Sequence, residues 1–388
     1  MSRTSTRNAH GSGSLRQLPS GRWQARFTVG RDPGTGKQIQ KSVYGDTQQE
    51  ARKVMAQAIA ALDEGAYLEP SKLTVGKWMD TWLAEYMGGV KVRTREQYEM
   101  QIRIHIKPAI GAVKLSALTP VMIQKMYNDV QKQGLSPKTI KNLHGVLHKA
   151  LAQAVRLGFL RNNPASAAIL PRVEKAGIKP LDSVQLATFL KAIEGHPLER
   201  LFITTVFTGL RMGEVIGLTW DCVDFVSGSI TIKRQWQRKT RGGGEHVFAP
   251  LKNDKVRVIA PASFVMELLQ QQRKEQLEMR LRAGKQWNNV NDFIFTDDTG
   301  NYIVDRTAYN TFKRFAKQIG VPDARFHDLR HTYATLALKN GDNVKDVSEA
   351  LGHATVAFTL DVYGHVTDER KRESAARMDA CIASLKTR

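Results

Sequence analysis

Near the start of the chain, apolar and polar residues alternate with the short period of β-strands. Trp23 to Val29 and Gln38 to Tyr44 alternate on either side of the turn residues Asp32 to Gly36, which predicts a β-hairpin with space for one more strand before it. A helix is predicted next, because Thr47 and Glu50 have the spacing of a capping box. Its apolar stripe consists of Ala51, Val54, Met55, Ala58 and Leu62. Small sheets backed by one helix are common in DNA-binding modules, although many other small domains share the pattern.

From Thr74 onward the apolar period becomes helical. Two apolar faces stand out, formed by Trp78, Met79, Trp82, Leu83 and Tyr86 and by Tyr98, Ile102 and Ile106. Thr119 and Ser136 are each an N-cap residue followed by proline, as at the start of a helix. The simplest interpretation is four helices, the last from Lys138 to Leu157. The aromatic stripes fit a buried core better than a platform for stacking nucleic-acid bases.

Prolines at 164, 171 and 180 interrupt the periodicity, so a linker is predicted near 170–180. Beyond Leu181 the pattern is mainly helical, apart from a strand-rich stretch from Ser229 to Ile259 that contains the loop Arg241 to Gly244. No internal repeat is present.

These patterns predict a multidomain protein, for which 388 residues are sufficient. We expect a small N-terminal module of β-sheet plus helix at 1–68, an all-α helical domain at 72–170, and a mixed α+β, mainly helical domain at 178–388. A hydrophobic content of 41% excludes a disordered polybasic chain.

The charge of the chain indicates its partner. Lysine and arginine number 58 against 37 acidic residues, and the net charge of +21 favours a polyanion. The segment 71–180 carries 18 basic and 6 acidic residues, so it is the strongest candidate for a surface along phosphates, with a merely solvated basic face as the alternative. The Gly/Ser-rich start has no acidic residue before Asp32, as in a flexible positive arm.

Several other classes of protein are disfavoured. The two cysteines, Cys222 and Cys381, cannot form a disulfide framework, and no apolar stretch is long enough for a membrane span or a signal peptide, which predicts a soluble cytoplasmic protein without a membrane partner. The G-T-G-K turn has Arg31 where a Walker loop requires glycine. His327 and His331 have the spacing of a zinc pair but lack the glutamate between them. We therefore expect no metal and no cofactor.

Candidate chemistry is concentrated in the last domain. The segment T-G-L-R-M-G-E places Arg211 at a predicted helix start, where a local salt bridge with Glu214 is the alternative use of the arginine. The segment F-H-D-L-R-H puts His327, Arg330 and His331 on one helical face, so that they can converge on one anion.

Three further residues complete a recognisable set. Lys252 lies in the turn P-L-K-N-D between strands, His353 lies in L-G-H, and Tyr363 follows ten residues later in L-D-V-Y-G-H. In this order and spacing, residues 180 to 370 resemble the tyrosine recombinase family, and the phage integrase group in particular. The upstream helices resemble the core-site DNA-binding domain of that family, and the first module resembles the arm-type DNA-binding module of some integrases.

The resemblance implies that Tyr363 is the nucleophile, which forms a 3′-phosphotyrosyl link and releases a 5′-hydroxyl. Arg211 and Arg330 stay charged at working pH and match the geometry of a phosphate, so they are expected to clamp the scissile group. A phenol with an ordinary pKa of ~10 needs help to ionise. The arginines supply positive potential, and His327 is expected to be the base or the hydrogen-bond partner of Tyr363.

Other residues receive supporting roles by the same resemblance. Lys252 is the expected general acid for the leaving 5′ oxygen, and His353 is expected to bond a phosphate oxygen. Glu214 and Asp328 are expected to brace the site, and His331 to support it.

The function implied is that of a site-specific recombinase, or integrase, acting on double-stranded DNA at paired sites without ATP, and integrating a phage or another mobile element, which it could also excise. A homo-tetramer on DNA is expected, with a host DNA-bending protein and an excision factor as accessory partners. The segment Asp368 to Leu385 could dock on a neighbouring protomer or pack on its own domain through Ala375, Met378, Ile382 and Leu385.

Other functions remain open at this point. Within the same chemistry, a chromosome-dimer resolving recombinase and a type IB topoisomerase-like enzyme are the alternatives. A non-catalytic DNA-binding regulator is the alternative of another class.

Overall fold

The computed structural model describes most of the chain, namely residues 13–31, 34–63, 73–174, 179–240, 243–251, 255–363 and the single positions 375, 378, 379, 382, 383 and 385. The chain divides into two compact units, 1–174 and 175–388. The finer division into modules at 1–68, 72–170 and 178–388 stays a prediction.

The first unit begins with the expected small sheet and helix. Strands β1 (Ser14–Gln17), β2 (Trp23–Arg31) and β3 (Gln38–Gly45) form an antiparallel sheet in that order, so the additional strand is present. Ala25 and Phe27 alternate toward one face and are buried with Ala51 and Met55 of helix α1 (Gln48–Asp63).

The capping of α1 follows the prediction only in part. Thr47 accepts the backbone N–H of Glu50, whereas the Glu50 carboxylate accepts from Asp46 and not from Thr47. Asp32 of the turn and the side chain of Leu62 lie outside the described residues.

Four helical segments then follow in residues 73–174, as predicted. They are α2 (Val75–Glu85), a continuous run in which α3 (Val92–Gln101) passes through a π-turn (Ile102–Ile106) into α4 (Lys107–Ile110), α5 (Pro120–Lys132) and α6 (Pro137–Arg156). Thr119 and Ser136 cap α5 and α6 with their hydroxyl groups.

The aromatic residues of this region form its core. Trp78 and Trp82 are 1% and 2% exposed, and the Trp78 indole donates to the carbonyl of Ala150 at 2.9 Å. Tyr98 is half-buried and stacks on Trp82, whereas Tyr86, which was expected in the same stripe, is 40% exposed.

The second unit is mainly helical. Its helices are α7 (Ser183–Ile193), α8 (Glu199–Thr208), α9 (Met212–Val215), α10 (Ser263–Ala283), α11 (Asp305–Gln318), α12 (Phe326–Asn340) and α13 (Val344–Leu351), followed by helical residues 356–363. One large apolar cluster runs from α7 to α12, and α12 and α13 share a smaller one with Tyr363.

The strand-rich stretch of the second unit forms two small sheets. Strands β4 (Val223–Asp224), β5 (Ser229–Ile232) and β8 (Arg257–Ile259) form one antiparallel sheet, and β6 (Gln235–Arg238) pairs with β7 (His246–Ala249) in the other. Arg241 of the predicted loop lies outside the described residues. No helix in the described parts of the chain combines the length and the apolar character needed to cross a bilayer.

Candidate active site

Arg211 lies at the turn between α8 and α9. Helix α8 ends at Gly209, which has a left-handed φ of 66°, and a Cβ at this position would come within 2.4 Å of the Tyr333 ring, so glycine is required. The chain can then turn so that Arg211 begins α9, as predicted. Its guanidinium donates to Glu214 at 2.8 Å and to the carbonyl of Gly352 at 3.0 Å. The salt bridge considered as the alternative is therefore formed too.

Arg330 lies on α12 and is 2% exposed. The first turn of this helix is stabilised by Asp328, whose carboxylate accepts from the backbone N–H and the guanidinium of Arg325, both at 2.8 Å. Arg330 donates to the carbonyls of Gly209 at 2.7 Å and Leu351 at 2.5 Å. Burial, followed by the positive charge of a neighbouring arginine, lowers its pKa to about 9, so the group is still charged at neutral pH.

A third arginine, Arg257 of β8, was missed by the sequence reasoning. It donates to both carboxylate oxygens of Glu214, at 2.6 and 3.2 Å, and through Nε to the carbonyl of Ala350 at 2.7 Å. Burial alone would raise the pKa of Glu214, but the hydrogen bond from Arg257 and the charges of Arg257 and Arg211 hold it below its usual value. No local pattern marks Arg257, because its partners are 43 and 93 residues away.

Together the three arginines surround the carboxyl end of α13. Three consecutive backbone carbonyls accept one hydrogen bond each, Ala350 from Arg257, Leu351 from Arg330 and Gly352 from Arg211. The carboxyl end of a helix carries partial negative charge, so this arrangement is electrostatically favourable.

Tyr363 is 1% exposed and packs in the apolar cluster of α12 and α13. Its hydroxyl lies 2.6 Å from Nδ1 of His331. The sequence predicted His327 as the base or the hydrogen-bond partner of Tyr363; in this structure His331, one helical turn further along α12, makes the hydrogen bond, and the role of His327 as base stays a prediction. Burial outweighs the nearby positive charge of Arg330 and raises the pKa of Tyr363 to about 12. The arginines therefore do not ionise the phenol in this conformation.

His327 and His353 lie beside the arginines. The His327 ring contacts that of His331, and loss of solvent followed by the charges of His331 and Arg330 lowers its pKa to about 4. The His353 Nδ1 lies 2.8 Å from the hydroxyl of buried Thr359, and its pKa is lowered to about 3, first by burial and then by Arg330. Both rings are therefore neutral at neutral pH.

A cleft of about 340 Å³ opens beside these groups. Its walls bring together Arg211 and His353, as the sequence predicted, with Arg257, Lys255 and Glu349. Lys252, the predicted general acid, lies outside the described residues. Within the described residues, no group of three or more histidine, cysteine or acidic side chains has a geometry that could hold a metal ion.

Such a site can hold an anion against fixed positive charges beside neutral imidazoles and a phenol. These are the groups needed to stabilise a phosphoryl transition state and to move protons around it.

Comparisons with known proteins agree with this chemistry. The profile of the phage integrase family matches residues 179–370, and that of the phage integrase N-terminal SAM-like domain matches residues 74–131. A tyrosine recombinase XerC-like protein of Caldanaerobacter subterraneus subsp. tengcongensis is 30% identical over 374 residues, which cover 92% of this chain and 95% of the relative.

Solved structures have the same fold. The Tn1549 transposon integrase in complex with transposon right end DNA matches with a TM-score of 0.69 at 23% identity, over 79% of this chain and 99% of that one. A lambda integrase tetramer bound to a Holliday junction matches with a TM-score of 0.56 at 20% identity, over 91% and 96% of the two chains.

Proposed function

The chain belongs to the phage integrase family of tyrosine recombinases, and we propose that its Arg211, Arg330, His327, His353 and Tyr363 carry out the cleavage and rejoining of DNA at the site described above. The protein is a site-specific DNA recombinase that acts on the DNA of a mobile element. The single observation that carries the assignment is the anchoring of Arg211 and Arg330 to adjacent carbonyls at the end of α13, next to His353.

In the proposed step, the Tyr363 oxygen attacks the scissile phosphorus, and the bond from phosphorus to the 5′ oxygen breaks. The phenolic proton passes to a base, for which His327 is the candidate, and the 5′ oxygen takes a proton, for which Lys252 is the candidate. The phosphate stays esterified to the enzyme, so the reverse attack of a 5′-hydroxyl rejoins the strand without ATP.

The two arginines are well suited to the charge that develops in this step. A pentavalent phosphorus concentrates negative charge on its non-bridging oxygens, and guanidinium groups present paired donors to them. Arg211 is 22% exposed and already lines the cleft. His353 borders the same cleft and is placed to bond a phosphate oxygen.

DNA binding must also uncover part of the site. Tyr363 and Arg330 are 1% and 2% exposed in this structure, and a nucleophile so covered cannot reach a phosphate. We assign the bond between Tyr363 and His331 to this covered arrangement of the site. Displacement of helical residues 356–363 would release the phenol.

The helical part of the first unit is proposed to bind the core site. A groove of about 480 Å³ between α3 and α6 has Tyr98, Lys138, Lys141 and Lys149 in its walls and no carboxylate among its lining residues. Lysines in such a groove can neutralise backbone phosphates without reading sequence. The N-terminal sheet module is proposed to contact arm-type sites.

Assembly on DNA is proposed by analogy with the structural relatives. A homo-tetramer would pair two sites, and a host DNA-bending protein and an excision factor would set the direction of the reaction. Residues 375, 378, 382 and 385 are helical and exposed, which suits the proposed contact of the terminal segment with a neighbouring protomer.

The test of this function is to trap the covalent intermediate. Purified protein is incubated with fragmented DNA of the source organism and its mobile element, with chelator and without ATP, and denaturant-stable adducts are collected. The Tyr363→Phe variant should bind DNA with the same salt dependence but form no adduct, because it lacks the attacking oxygen. Adducts of equal yield in the variant would refute Tyr363 as the nucleophile. Sequencing the trapped DNA identifies the sites.

A further inference from the structure

Arg257 makes three side-chain hydrogen bonds, although its strand, β8, lies at the edge of a small sheet. Its guanidinium spans Glu214 of α9 and the carbonyl of Ala350 in α13, and its side chain is 9% exposed. It also lies directly under Gly352, where an added Cβ would meet Arg257 atoms at 3.1 to 3.3 Å. One residue of β8 thus connects α9 with the carboxyl end of α13.

The contacts of Glu214 show what this connection does. The carboxylate is 1% exposed and receives both Arg257 and Arg211, with Arg257 providing the two-pronged pair and the shortest distance. Without Arg257, Arg211 would be the one arginine left in direct contact with the buried carboxylate. An arginine drawn fully into such a pair has less positive potential to offer to a phosphate.

We propose that Arg257 is a positioning residue for the recombination reaction: it balances the charge of Glu214 and fixes the end of α13, and so leaves Arg211 and His353 oriented toward the scissile phosphate. The proposal rests on the function proposed above. Arg257 itself is assigned no contact with the reacting atoms.

Double substitution tests this role, because removing the negative charge should repair the loss of the positive one. Arg257→Met should slow single-turnover adduct formation at saturating protein by about tenfold or more, since small displacements of catalytic groups are costly. Glu214→Gln in the same chain should recover at least about fivefold of that loss, because Arg211 is then no longer drawn to a lone carboxylate. The substrate is a nicked duplex carrying the site recovered from wild-type adducts.

A matched control separates this role from stability of the fold. Arg200 makes a comparable two-pronged pair with Glu275 in the same unit, at 2.5 and 2.6 Å, and contacts none of the site residues named here. Arg200→Met should lower the melting temperature and leave the cleavage rate of the folded protein within about twofold of wild type.

The outcomes are distinct. A double variant that cleaves faster than Arg257→Met supports the proposal, whereas one that is equally slow or slower overturns it and leaves Arg257 a structural residue. Should Arg257→Met fail to fold, the same comparison is made with Arg257→Gln, which is also uncharged but keeps a polar group that can form a hydrogen bond. Wild-type protein that forms no adduct would instead contradict the proposed function.

Discussion

At the scale of single residues, the site shows burial and charge acting against each other. Tyr363 lies near Arg330, yet its pKa is raised because the loss of solvent costs the phenolate more than the arginine returns. Arg330 is likewise affected more by burial than by the negative charge of Glu214. For Tyr363 as the proposed nucleophile, positive potential would therefore become useful only after DNA brings a phosphate and the phenol together.

The effect of burial on the histidine pKa values likewise predicts how the stability of the second unit changes in acid. His327, His331 and His353 have pKa values lowered to about 4, 4 and 3, so the unfolded chain binds protons more readily between those values and an ordinary histidine pKa. Their contribution to stability is complete above about pH 6.5 and is lost as the pH falls toward about 4 for His327 and His331 and about 3 for His353.

Removing one histidine should reduce this dependence. His353→Gln should shrink the loss of unfolding free energy between about pH 7 and about pH 5 by about 1 kcal/mol, as measured by urea titration at both pH values. An identical pH dependence in wild type and His353→Gln would show that this ring is not desolvated in the folded protein.

At the scale of elements, most of the architecture is readable from the sequence and the pairing of side chains is not. Helical periodicity and the Thr119 and Ser136 caps predict the helices of the first unit because those signals are local. The choice between His327 and His331 as the partner of Tyr363 is not local, since both lie on one face of α12. It depends on how helical residues 356–363 pack against that face.

Two other contributors to the site also have no sequence signal. Thr359 bonds His353 across the turn after α13, where no periodic pattern marks the pair, and Arg257 meets Ala350 across 93 residues. The predicted Arg211 helix start, by contrast, follows from the glycine that precedes it.

That glycine predicts a measurable effect on the junction of α8 and α9. Gly209→Ala forces a left-handed residue and places a methyl group 2.4 Å from the Tyr333 ring and 2.8 Å from Leu351. We expect a loss of about 2 kcal/mol or more of unfolding free energy, and slower cleavage, because the Gly209 carbonyl also accepts from Arg330.

The matched control for this substitution is Gly195→Ala. Gly195 has a similar φ of 73° but open space around its Cβ position, so only the backbone term of about 1 kcal/mol applies. Equal losses for the two variants in urea unfolding would mean that the packing against Tyr333 adds nothing.

At the scale of the whole molecule, the net positive charge indicates that the protein binds DNA and carries no information about its fold. A net charge of +21 means that like charges within the protein repel one another. The excess of basic over acidic residues is greatest in 71–180, which contains 18 basic and 6 acidic residues. Phosphates release condensed counterions when lysines neutralise them, so binding should weaken steeply as salt rises.

The groove between α3 and α6 makes this expectation specific to a surface. Replacing Lys138, Lys141 and Lys149 by glutamine should reduce the slope of log affinity against log salt by about 3, if each lysine neutralises one phosphate. Binding at low salt should weaken for all DNA sequences alike, because phosphate contacts carry no sequence information.

A variant of equal charge tests whether position matters. Lys114, Lys125 and Lys132 are exposed in the same unit but do not line the groove, and their replacement by glutamine lowers the net charge by the same amount. If the groove lies along the duplex, fluorescence anisotropy titrations at several salt concentrations should show a reduced slope only for the groove variant. Equal reductions in both would mean that total charge, and not this groove, binds the backbone, since long-range attraction depends on charge more than on where it is placed.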